Sequence, residues 1–99
     1  MSITDHRQAA EDHIRDLINL LAAAPQREAL RPMMDECESL IGAIQAFHLE
    51  GIRFRMFNVE RLLTRANLPV PETVTIAFTD ARRELEAAGF HTRSHQAPT

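Results

Sequence analysis

Apolar residues recur along this chain in three blocks at the 3,4 spacing of amphipathic helices, with polar punctuation between them. The first block is Ala10, Ile14, Leu17, Ile18, Leu21 and Ala24. Arg7, Glu11, Arg15 and Asp16 fall on the opposite side, so the pattern predicts a helix over about 5–24 with one solvated face. Thr4 or Asp5 can accept hydrogen bonds from the first-turn N–H groups, and Pro25 disfavours helical geometry at Ala24. The last block, Val74, Ala77, Phe78, Ala81, Leu85 and Ala88, predicts a helix over about 71–88 that starts at Pro71 and Glu72. Gly89 followed by Phe90 reads as a Schellman stop with its hydrophobic contact. Residues 91–99 are polar and read as a flexible tail.

The middle block is the longest. Cys37, Ile41, Ile44, His48, Ile52, Met56, Val59, Leu63 and Ala66 form one stripe. Met33, Cys37, Leu40, Ile44, Phe47, Gly51, Phe54, Asn58 and Leu62 form a second beside it. Both keep their phase through Gly51, where a glycine costs a helix only about 1 kcal/mol relative to alanine. The pattern therefore predicts one helix over about 33–66, bent at Gly51 at most and roughly 51 Å long at about 1.5 Å per residue. Pro32 suits its first turn, and Asn67-Leu-Pro-Val-Pro71 ends it. Residues 25–32 (PQREALRP) are a connection with room for a short helical turn. The expected architecture is all-α: a single domain over 1–99, a small bundle in which helices at about 5–24 and 71–88 pack along one long central helix.

Two features of that central helix predict a second copy. Its paired stripes are broader than a single partner helix covers. Its charge also changes sign: Met33–Glu50 holds four acids and no base, whereas Arg53, Arg55, Arg61 and Arg65 face only Glu60 between Gly51 and Asn67. An antiparallel homodimer with its axis near residues 49 and 50 sets acidic halves beside basic ones. Glu38 then lies near Arg61, and Cys37 meets Leu63. The interface expected on this register is Cys37, Leu40, Ile44, Phe47, His48, Gly51, Ile52, Met56, Val59 and Leu63. Surface ion pairs add little affinity, but they select orientation.

Composition narrows the chemistry. The net charge is −3 and all eleven basic residues are arginine, a balance that argues against non-specific nucleic-acid or membrane-surface binding. No apolar run reaches the roughly 18 residues of a membrane span, and the acid-bearing N-terminus lacks an apolar signal region, so a cytoplasmic location is expected. One cysteine, Cys37, excludes an intrachain disulfide and reads as a buried, inert thiol. His6 and His13 share a helix face and would need a third ligand to hold a metal, so they read as exposed surface histidines. His91 and His95 are four apart but follow the predicted helix stop, in the flexible tail. Asp35, Glu36 and Glu38 suit the positive end of a helix dipole better than a metal site. No catalytic residue, metal or cofactor is expected.

Two local resemblances remain. His48-Leu-Glu-Gly51 on a bundle helix resembles the phosphorylated segment of histidine phosphotransfer domains, which implies an exposed, phosphorylatable His48; Glu50 has the wrong sign beside a phosphoryl group. The Leu62-Leu63-Ala66 helix, the Leu68-Pro-Val-Pro turn, Glu72-Thr73-Val74 and Leu85-Glu-Ala-Ala-Gly89-Phe90 resemble the helix–turn–helix of winged-helix regulators. That resemblance, over about 57–90, implies that Thr73, Thr75, Thr79, Arg82 and Arg83 approach DNA. The leading expectation is a non-enzymatic interaction or regulatory module that self-associates through its central helix, with an unknown protein partner. A DNA-binding regulator is the alternative, and a metal-binding or phosphotransfer protein the third reading.

Overall fold

The computed structural model describes residues 5–65 and 70–90. Among these it contains four helices, α1 (His6–Ala23), α2 (Arg31–Gln45), α3 (Leu49–Leu63) and α4 (Glu72–Ala87), and no strand. Among the described residues, no helix is long and apolar enough to cross a membrane. The expected tail over 91–99, and most of the expected turn at 67–71, lie outside the described residues.

The outer helices follow the hydrophobic pattern. Asp5 caps α1 by accepting from the Gln8 N–H at 3.0 Å, and Ala24 before Pro25 turns to extended geometry. Ala10, Ile14, Leu17 and Leu21 are fully buried along one face. In α4, Val74, Ala77, Phe78, Ala81 and Leu85 turn inward, and Pro71 takes the cap position. The Schellman stop is present: Gly89 has φ 98°, the Phe90 N–H donates to the Leu85 carbonyl at 2.9 Å, and the Gly89 N–H to Glu86 at 3.0 Å. Residues 25–30 make the expected short turn through successive i→i−3 bonds, and Leu30, within that connection, is fully buried.

The middle block departs from expectation. There is no single helix over 33–66: α2 stops at Gln45 and α3 begins at Leu49. The stop is a second Schellman motif with phenylalanine where glycine is usual. Phe47 takes φ 54°, its N–H donates to Ile44 at 3.2 Å, and the His48 N–H donates to Ala43 at 3.0 Å. A left-handed residue other than glycine costs roughly 1–2 kcal/mol. Folding back repays it, because Ile52, Met56 and Val59 of α3 become fully buried, each worth about 1.5–3 kcal/mol. A straight helix of roughly 51 Å would overrun a molecule whose longest extent is 40 Å.

The packing order changes with it. α1, not the 33–66 segment, is the middle of the bundle, flanked by α2 and α4, while α3 packs on α2. Met33, Cys37, Leu40 and Ile44 of α2 complete the core. Polar pairs tie the layers: His6 Nδ1 lies 2.6 Å from Glu84 Oε1 (α1–α4), Gln45 Nε2 donates to buried Glu11 at 3.1 Å (α2–α1), and Arg82 meets Glu60 at 2.9 Å (α4–α3).

Candidate interaction surface at the α2–α3 junction

The junction is built from six consecutive residues. After Phe47 turns the chain, His48 takes extended geometry and its Nδ1 accepts from the Gly51 N–H at 2.8 Å, capping α3. Gly51 makes this fit. A Cβ there would stand 2.7 Å from His48 Nδ1 and 3.3 Å from the Ala43 Cβ, so any side chain displaces the imidazole. Glycine at 51 therefore makes room for the capping ring.

Around the turn, large apolar side chains face solvent: Phe47 is 64% exposed, Leu49 42% and Phe54 43%. Phe47 is steadied from two distant segments. The Arg7 guanidinium of α1 lies 4.4 Å from its ring centroid, and the Phe90 ring beyond α4 lies 6.4 Å away. Arg55 stands 5.1 Å over the Phe54 ring and donates to both carboxylate oxygens of Glu36 at 3.1 and 3.3 Å. Asn58 adds a third bond to Glu36 at 3.2 Å. The sign change along the sequence is thus met inside one chain, where acidic α2 and basic α3 run side by side.

This relocates most of the expected dimer interface. Cys37, Leu40, Ile44, Ile52, Met56 and Val59 lie in the subunit's own core, and Leu63 is half-buried. A face-to-face dimer in the register centred on residues 49 and 50 would have to open that core. Phe47, His48 and Gly51 are the members brought together at the surface junction.

Of the expected DNA-contacting set, Thr73, Thr75 and Thr79 are exposed on α4. Arg82 is not: it is buried, joined to Glu60 and stacked 4.9 Å from the Phe78 centroid. Arg83 is exposed and pairs with Asp80 at 2.9 Å. α4 packs along α1, whereas the two helices of a helix–turn–helix pack on each other.

The remaining candidates resolve into structural roles. His48 is exposed, but its Nδ1 lone pair serves the α3 cap. His6 is held by Glu84, and His91 and His95 lie outside the described residues. No group of three metal-ligating side chains comes together among the described residues. Burial, with Glu36 and Glu38 nearby, pushes the Cys37 thiol from 9.0 up to about 12, so it carries no thiolate at neutral pH. An open groove of about 600 Å³ between α1 and α2 is lined by Arg15, Ile18, Asn19, Glu38 and Ile41, and its Arg15 is engaged by Glu11 at 2.7 Å.

Sequence reasoning missed the Arg7–Phe47–Phe90 cluster, whose members come from three distant segments. No local signal in the sequence joins them. No family model matches the chain, and no curated protein or solved structure matches it.

Proposed function

We propose that this chain is a non-enzymatic interaction module that pairs with a second copy of itself through the α2–α3 region. The observation that carries the reading is the exposure of Phe47, Leu49 and Phe54 within eight residues of a helix–helix junction. Exposed large apolar side chains close together along the chain supply the apolar surface that an association site uses. The groups that chemistry would call on support the same reading, because they are engaged in holding helices together: Glu36 with Arg55 and Asn58, Glu60 with Arg82, Glu11 with Arg15 and Gln45, and His48 as a cap.

Light scattering over a range of concentrations tests it. The expected result is a species of twice the 11.2 kDa chain mass that dissociates on dilution. A monomer at every concentration refutes the proposal. Salt-dependent binding to duplex DNA by the monomer would replace it with the helix–turn–helix reading.

A further inference from the structure

We propose that two copies associate by exchanging halves. Residues 46–48 straighten, α2 and α3 join into one helix, and α3–α4 of each copy packs on α1–α2 of the other. This rests on the self-association proposed above and specifies its geometry.

Four observations converge on it. Residues 31–63 keep helical phase across the turn, and Gln45-Ala-Phe-His-Leu-Glu50 contains no proline, glycine or β-branched residue, so nothing in the covalent chain requires a break there. The break is held by Phe47 at φ 54°, a conformation that straightening relieves. The connection is short, and short strained hinges favour exchange between copies. Most tellingly, Phe47 belongs to the stripe of Met33, Cys37, Leu40 and Ile44, yet is 64% exposed while those four are buried. In a straight helix it returns to the buried seam and faces its twin across the two-fold axis.

The exchange loses little. Every contact between residues 5–45 and 49–90 is re-formed across copies, including α2 on α3, α1 on α4, Glu36 with Arg55 and His6 with Glu84. The turn's own bonds, from Phe47 N–H to Ile44, His48 N–H to Ala43 and Gly51 N–H to His48 Nδ1, give way to ordinary i→i−4 bonds. The contacts of Phe47 with Arg7 and Phe90 hold the closed form. Charge complementarity between α2 and α3 thus serves one chain when folded back and two chains when straight.

Charge reversal distinguishes exchange from any dimer of closed subunits. Glu36→Arg and Arg55→Glu each set like charges against one another within a closed chain. When the two variants are unfolded together and refolded, an exchanged heterodimer restores both pairs, one native and one reversed. A dimer of closed subunits restores neither. Native mass spectrometry of the mixture should show heterodimer well above the statistical half; half or less overturns the exchange. A second pair of variants needs no folding of the reversed chains. Phe47→Ala and Phe47→Gly both remove the ring, but glycine suits the left-handed turn and alanine suits the straight helix. With two hinges per dimer, Phe47→Ala should dimerise on the order of 30-fold more tightly than Phe47→Gly. Equal dimerisation overturns the exchange, even where the charge variants fail to refold. A wild-type monomer at all concentrations removes both proposals, whereas a dimer with neither heterodimer preference nor a Phe47→Ala advantage removes only this one.

Discussion

Raising the pH from 8 to 11 should destabilise the fold through one side chain, Cys37. The thiol is fully buried on α2, and burial, aided by Glu36 and Glu38, raises it from 9.0 to about 12. The folded chain therefore keeps its proton where the unfolded chain releases it. Stability from this source is complete below pH 9 and is lost as pH rises through the window from 9.0 to about 12. The slope approaches about 1.4 kcal/mol per pH unit, giving a loss of about 1.4 kcal/mol by pH 10 and close to 3 by pH 11. That is a substantial share of the 5–15 kcal/mol typical of domains. The composition isolates the effect, since the chain has no tyrosine and no lysine to titrate in the same range. Urea unfolding at pH 8, 9, 10 and 11, for wild type and Cys37→Ala, measures it. Wild type should lose stability above pH 9, while the variant starts lower and stays flat. Parallel curves for the two proteins would refute the buried-thiol reasoning, as would fast alkylation of Cys37 in the native protein at pH 8.

Other predictions follow from the junction and the core. His48→Ala should cost about 1 kcal/mol by removing the α3 cap. Gly51→Ala should be neutral to about 1 kcal/mol destabilising in wild type, but stabilising by up to about 1 kcal/mol once His48 is already alanine; additive effects in the urea-unfolding cycle would contradict the close approach of 2.7 Å. Leu30→Ala should destabilise by about 2–5 kcal/mol, whereas Leu49→Ala, at an exposed position, should fall within about 1 kcal/mol of wild type by the same assay. Arg82→Ala should cost about 1.5–3 kcal/mol through its bonds to Glu60, with Arg83→Ala near neutral, and thermal melts that rank the two equally would refute this placement.

α1 and α4 were legible because their signals are local. A cap at Asp5, a proline after Ala24, a Gly89-Phe90 stop and an unbroken 3,4 stripe all act within a few residues of one another. The same logic read α2 and α3 correctly as helical and apolar but joined them. Nothing at Ala46-Phe-His48 marks a stop, since phenylalanine is an unusual residue for a left-handed cap and histidine an uncommon N-cap. Leu30 escaped for the opposite reason. A lone apolar residue among Pro, Gln, Arg and Glu has no periodicity, and its burial depends on where the turn at 25–30 delivers it.

By itself the sequence determined that α2 carries acids, that α3 carries arginines and which faces are apolar, because charge and periodicity are properties of the residues alone. Only the tertiary structure decided whose α3 meets whose α2. A chain that folds back needs no partner and loses no translational freedom, but it must place Phe47 in a left-handed conformation; a chain that runs straight avoids that cost and requires a second copy. In a chain without a second copy only the fold-back buries Ile52, Met56 and Val59, and that burial exceeds the cost of one strained residue. Periodicity records which faces are apolar, and the direction of the chain at 46–48 is set by what those faces find to cover them.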